Sequence, residues 1–239
     1  MKKILLCVIL ACCNIWIMQA EEKQYLGVQL GYTQPITRLN AAIVGKETTL
    51  NATVYNGLKV GVVYDATIVK GFGFNMGLNY TFGSNHTDWA SKHTASVYPK
   101  VRSRGQYHQM ELVVDWQYKF EIAQNTWLML YTGPTLQCGL ALADKWYIQT
   151  TPNNESYDHT ENYYDVQSVG NYALSRLNVT WGIGAGLQYE RYFLRGGYDF
   201  GLINPYKAKT FNISENYQPY TRGRFDQWQI KLGIYLWEK

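Results

Sequence analysis

The sequence predicts an all-β fold, an eight-stranded antiparallel up-and-down β-barrel, on three observations. Bulky apolar residues alternate with small or polar ones at a period of two in eight separate stretches. The connections between those stretches alternate long and short, as consecutive hairpins require. No segment carries the 3.6-residue period of an amphipathic helix.

The clearest strand is Phe72–Phe82, FGFNMGLNYTF, in which Phe72, Phe74, Met76, Leu78, Tyr80 and Phe82 share one face and Gly73, Asn75, Gly77, Asn79 and Thr81 the other. About 9–11 residues is the length a tilted strand needs to cross a bilayer core. The first strand, Tyr25–Tyr32, opposes Leu26, Val28, Leu30 and Tyr32 to Gly27, Gln29 and Gly31. The second, Leu58–Ile68, places Leu58, Val60, Val62 and Tyr64 against Lys59, Gly61, Val63 and Asp65, and Lys70-Gly71 turns it into Phe72–Phe82. The fourth, His108–Phe120, sets Met110, Leu112, Val114, Trp116, Tyr118 and Phe120 against Gln109, Glu111, Asp115, Gln117 and Lys119. After a turn at Gln124-Asn125 comes Trp127–Leu142, with Leu128, Leu130, Leu136, Cys138, Leu140 and Leu142 on the apolar face. Pro134 within it predicts a bulge or bend. Leu177–Tyr189 alternates with Gly182, Gly184 and Gly186, turns at Glu190-Arg191, and continues as Tyr192–Leu202. Gln227–Trp237 is the last strand. Residues 33–56, 83–105, 143–176 and 203–224 read as four long polar loops, all at one end of the barrel.

The N-terminus reads as an export signal spanning 1–20. Lys2 and Lys3 precede a mostly apolar run, and Gln19-Ala20 precedes Glu21-Glu22-Lys23. A competing reading acylates Cys12 within Leu10-Ala11-Cys12, although Leu10 fits a lipoprotein box poorly and the apolar run continues past it. Three of the four cysteines lie in this segment, so cleavage leaves Cys138 alone, without a partner for a disulfide. Residues 21–239 then form one barrel domain.

Charged residues make up 17% of the chain and aromatics 15%, against roughly 25% charged in ordinary soluble domains. A net charge of +4, from which Lys2 and Lys3 would be removed with the signal, is too small and scattered for nucleic acid. An eight-stranded barrel has an interior just wide enough for side chains to fill. The face rich in Gly, Asn, Thr and Gln fits inside, and the face rich in Phe, Trp, Leu and Met belongs outside, against lipid. Tyr32, Tyr80, Trp116, Tyr118, Trp127, Tyr189, Tyr192, Trp228 and Trp237 are then expected as aromatic girdles. The expectation is a transmembrane β-barrel in the outer membrane, with outer-membrane lipid as its surroundings.

YLGVQLGY, FGFNMGLNY, WGIGAGLQYE and the closing QIKLGIYLW resemble the outer-membrane β-barrel proteins of the Bacteroidota, the PorT-like group. The resemblance spans the mature chain and reports strand type, not a site. It implies an outer-membrane location and, as one role, an accessory part in a protein-secretion machine. Trp237 followed by Glu238-Lys239 departs from barrels that end on a terminal aromatic.

Eight charges fall on the small face: Lys59, Asp65, Glu111, Asp115, Lys119, Arg195, Asp199 and Lys231. Turned inward they must pair, because isolated charges are costly away from water, and they are expected to plug the lumen rather than conduct. The histidines are His86, His93, His108 and His159. His108 with Ser103 and Asp88 is a conceivable hydrolase or acyltransferase set, but no spacing singles it out, nor does any His pair have metal-ligand spacing on a strand. Five Asn-X-Ser/Thr matches, at Asn51, Asn85, Asn154, Asn178 and Asn212, read as chance in a chain this rich in Asn and Thr. No catalytic, cofactor or metal site is expected. The loops 83–105, with Thr87-Asp88-Trp89, and 143–176, rich in Tyr, Asn and Ser, are the expected contacts for an envelope or surface partner. A monomer with a structural or interaction role is the reading, with a secretion accessory or a lipid-modifying enzyme as alternatives.

Overall fold

The computed structural model describes residues 23–43, 46–86, 90–91, 100–151, 153–162, 164, 173–207 and 221–239. The expected export signal, 1–20, and with it Cys12, lies outside the described residues, as do Thr87-Asp88-Trp89, His93 and Asn212. All regular structure among the described residues is strand: β1 (Gln24–Ile43), β2 (Lys46–Val54), β3 (Asn56–Val69), β4 (Phe72–His86), β5 (Ala90–Ser91), β6 (Lys100–Ala123), β7 (Thr126–Thr151), β8 (Asn154–Asn162), β9 (Ala173–Leu174), β10 (Leu177–Tyr189), β11 (Tyr192–Gly201), β12 (Tyr206–Lys207) and β13 (Thr221–Glu238).

Eight of these form a closed antiparallel ring, β1-β3-β4-β6-β7-β10-β11-β13, and β13 returns to pair with β1. The seam runs from Tyr25↔Glu238 to Ala41↔Thr221. Closure leaves the ring without an edge, so its backbone polar groups are paired within the wall. The turns at the short end are tight. Lys70 and Gly71 both have positive φ, 47° and 86°, as a two-residue turn matching strand twist requires.

The strands run well past the spans that alternation marks. β1 and β2 form a hairpin within residues 33–56, β4 extends to His86, and β6 begins at Lys100. β7 continues to Thr151 and pairs with β8, while β9 and β12 form a small separate ladder. Much of what reads as loop is therefore extended ladder. Beyond the apolar belt the outer strand face turns polar, so apolar–polar alternation fades from the sequence although backbone pairing continues and residues such as Ser103 and Tyr107 stay buried inside.

Two further expectations are corrected. Pro134 pairs opposite Trp181, and the β6–β7 register is the same at Val113↔Thr135 as at Trp116↔Thr132. The missing N–H opens the ladder locally without inserting a residue. The register shift falls instead between His108↔Ala141 and Gln109↔Gly139, with Leu140 as the extra residue. That bulge reverses the parity beyond it, so Leu142, expected on the outer face, is buried in the lumen at 2% exposure.

Candidate functional site

Side chains fill the lumen in three layers. Nearest the short turns, Tyr25, Val63, Met129, Phe193 and Tyr235 form an apolar cluster, with Tyr235 stacked on Tyr25 and tilted against Phe193, both at 4.7 Å. At the opposite end Tyr55, Tyr107, Leu142, Leu174 and Phe225 cluster, with Tyr164 packed against them. Burial pushes the Tyr164 phenol up to about 12 despite the nearby Arg176 guanidinium, which keeps it neutral.

Most of the charged side chains lie between the two, while Asp65 and Lys119 stand level with the first cluster, paired across from Tyr25 and Met129. Lys59, Asp65, Glu111, Asp115, Lys119, Arg195, Asp199 and Lys231 are all buried. Lys59 Nζ lies 2.6 Å from Glu111 Oε2 and donates to Gln229 Oε1 at 2.7 Å. Gln227 Nε2 donates to Glu111 Oε1 and to Asp199 Oδ2, and Gln229 Nε2 donates to the same Asp199 oxygen at 2.9 Å. Lys59, Glu111, Gln227, Asp199 and Gln229 thus form a closed circuit joining β3, β6, β11 and β13. A second group centres on Asp65, which accepts from Lys119 Nζ at 2.7 Å, Gln117 at 2.8 Å, Tyr235 at 3.0 Å and Asn75 at 3.3 Å. Arg195 pairs with Asp115 at 3.0 Å and covers the Tyr131 ring at 4.0 Å. Asp199 takes its bonds from the two glutamine amides, and Lys231 has no carboxylate within ion-pair distance among the described residues.

The apolar layers were not evident in the sequence, because Tyr25, Tyr107, Met129, Tyr131, Phe193 and Tyr235 lie on the face read as small. Their cross-strand partners show how they fit. Phe193 faces Gly233, Tyr131 faces Gly184, Tyr107 faces Gly83, Met129 faces Gly186 and Tyr235 faces Gly27. Each of these five occupies the space of a missing side chain next door, a large–small pairing that suits a narrow barrel. Reading glycines against the residue across the hairpin, rather than strand by strand, would have found them.

Space opens at the two ends of the plug. A cavity of about 670 Å3 opens at the short-turn end, lined by Lys23, Tyr25, Lys70, Lys119, Gln188 and Lys239. Beneath Tyr164, Leu174 and Phe225 at the other end the space is about 20 Å3.

On the outer face, large apolar side chains stand exposed all round the ring, among them Leu30 at 54%, Leu78 at 47%, Leu136 at 47%, Ile183 at 57% and Leu232 at 61%. Tyr189, Tyr192 and Trp237 lie beside the short turns and the last strand's end. Trp127, expected in the girdle, is instead paired across from lumenal Gln188 and lines the short-turn cavity, because it shares the inward parity of Met129 and Tyr131. Tyr32, Tyr80 and Trp228 lie towards the opposite rim, with Tyr32 and Trp228 in ring contact at 5.3 Å. Trp116 and Tyr118 stand farther along the wall, Trp116 against Trp181 at 5.8 Å.

His108 points outward, 2.6 Å from the Tyr80 hydroxyl and against Phe82, whereas Ser103 is buried on the inner face. The sheet separates them, and Asp88 lies outside the described residues. His159 stacks on Trp146 and pairs with Asp158 at 3.0 Å, and His86 is exposed on β4. The sequon residue Asn178 is buried in the lumen and donates to Gln137. No group of three His, Cys, Asp or Glu side chains suited to a metal occurs among the described residues.

No protein-family model matches the sequence, and no curated protein matches it. Solved structures that resemble it are bacterial barrels. The attachment invasion locus protein Ail of Yersinia pestis, solved with a heparin analogue, is 11% identical with a TM-score of 0.36, covering 89% of this chain and 98% of its own. Neisserial surface protein A is 9% identical at 0.34, covering 87% and 97%. The outer membrane protease OmpT of Escherichia coli is 9% identical at 0.43, covering 90% and 97%. At these identities and scores the likeness adds nothing to the ring of eight strands, which stands on its own pairing.

Proposed function

We propose that this chain is a non-enzymatic outer-membrane β-barrel protein with a filled lumen, acting through contacts made at its strand-extended end. The inversion of the usual protein interior carries the reading: ion pairs and glutamines occupy the inside while Leu, Val, Ile, Phe and Trp stand exposed outside. In water such a belt would be a large aggregation-prone surface, whereas in a bilayer it is the matched solvent. The side chains that close the lumen argue against a porin-like role. Large paired surfaces on β7 with β8 and on β1 with β2 supply the extended end.

The resemblance of its strand motifs to PorT-like barrels supports a second reading, an accessory component of a secretion machine, in which the same end docks an envelope protein. Outer membranes from expressing cells, extracted in mild detergent and run unboiled and boiled, test the main reading. A heat-dependent mobility shift in the membrane fraction, with no conductance in planar bilayers, is expected. Recovery of soluble protein without a shift overturns it. Co-purification of a defined secretion complex from the native membrane favours the second role.

A further inference from the structure

Just beyond the apolar belt, the outer face of β4, β6 and β7 changes from apolar to basic. His86 pairs across from Arg104, and Arg104 pairs across from Lys145, so one row across three strands carries three basic side chains in register. All three are exposed. The next row sets Arg102 opposite Tyr147, and the guanidiniums of Arg102 and Arg104 lie 5.4 and 5.3 Å from that one ring. Glu155 pairs with Arg102.

Like charges directly opposite in an antiparallel ladder oppose pairing, so a row of this kind calls for an anion. Its position says where the anion lies. These residues share the face of Phe82, His108 and Met110, which is the lipid-facing side, and His86–Arg104 lies two row steps from Phe82–His108, with Ser84–Gln106 between them. That is about 13 Å along the strands, and less along the barrel axis because the strands tilt by about 40°. Long Arg and Lys stems reach back across that distance towards the headgroups.

We propose that Arg104 and Lys145, with Arg102 braced on Tyr147, form a binding site for the phosphate groups of an outer-leaflet glycolipid lying against the β6–β7 wall. The inference rests on the membrane reading above. A soluble polyanion would also meet the charge, but the row faces sideways along the wall where lipid lies, not up from the barrel's end.

The full chain in detergent is titrated with lipid A carrying two phosphates, with its monophosphorylated form, and with heparin, using wild type, Arg104→Gln/Lys145→Gln and the charge-retaining Arg104→Lys/Lys145→Arg. Wild type is expected to favour the bisphosphorylated lipid. The glutamine variant is expected to bind it roughly thirty-fold more weakly at low salt, about fivefold per charge removed, and the charge-retaining variant to bind as wild type does. Equal binding of both lipids, or no loss in the glutamine variant, overturns the proposal, as does heparin binding without lipid discrimination. The heat-dependent gel shift is read on each sample. Its absence in wild type counts against the barrel reading, whereas a normal shift with no phosphate preference counts against this site alone.

Discussion

Replacing Lys59 with Met removes one cation from the lumenal circuit while keeping a side chain of similar reach. Glu111, 1% exposed, would keep its amide donors Gln109 and Gln227 but lose the ammonium 2.6 Å away. Gln229 Oε1 would lose its donor as well. Breaking a buried pair by removing one partner costs about 3–5 kcal/mol, because the remaining charge is stranded. A paired apolar replacement, Lys59→Met with Glu111→Leu, removes both charges and is expected to recover most of that loss. Lys231→Met is the internal control, since among the described residues Lys231 has no ion-pair carboxylate to strand. Urea unfolding of the refolded barrel in lipid vesicles, followed by tryptophan emission, reads all three. A Lys59→Met loss below about 1 kcal/mol, the scale of a solvent-exposed pair, would refute the reasoning by showing that the lumen is wet and the circuit screened.

Other substitutions probe the packing and the outer wall. A methyl at Gly233 would lie 2.1 Å from Phe193 Cζ, whereas at Gly196 the nearest atom is 3.8 Å away. Gly233→Ala is therefore expected to destabilise by about 1–3 kcal/mol by overpacking, and Gly196→Ala to change little in the same unfolding assay. Gly71 combines φ of 86° with the Lys119 carbonyl oxygen 2.3 Å from a Cβ position, so Gly71→Ala should slow refolding and lower the thermal midpoint of the gel shift. Leu136→Arg places a charge on the lipid face and is expected to cost about 2–4 kcal/mol if it lies near the midplane. The Tyr164 hydroxyl lies 1.9 Å from the Cβ position of Gly139; Gly139→Ala should displace that ring, read as increased quenching of tyrosine emission.

The strand ring was legible in the sequence wherever one face met lipid and the other the lumen. Phe72–Phe82 and Met110–Phe120 alternate because those two environments differ, and all eight inward charges are buried where parity placed them. Legibility failed where that contrast failed. Beyond the belt the outer face of segments such as 100–107 turns polar, with Arg102, Arg104 and Gln106 outside while Ser103 and Tyr107 stay buried inside, so ladder and loop look alike in composition. The bulge at Leu140 is invisible in β7 alone, since its effect is to exchange the faces of Leu142 and its successors relative to β6. Asp226, fully buried on the outer parity, was missed for a related reason. Its carboxylate is held by the Gly201 N–H, Tyr198 and Arg224, contacts that come from a neighbouring strand and from two residues away. The lumenal rings escape a strand-by-strand reading, in which glycine points to a small interior, whereas the glycines across from Phe193, Tyr131, Tyr107, Met129 and Tyr235 mark large neighbours.

The central claim is that lipid bathes one parity of the wall while a closed lumen encloses the other. Nitroxide labels placed singly at each position from Met110 to Phe120, in a Cys138→Ala background reconstituted into bilayers, test it most directly. Collision with dissolved oxygen should be high at Met110, Leu112, Val114, Trp116, Tyr118 and Phe120, and low for both oxygen and a water-soluble nickel complex at the intervening positions. High nickel collision along the apolar parity would contradict the account by placing that face in water. High nickel collision at Glu111, Asp115 and Lys119 would contradict it by opening the lumen.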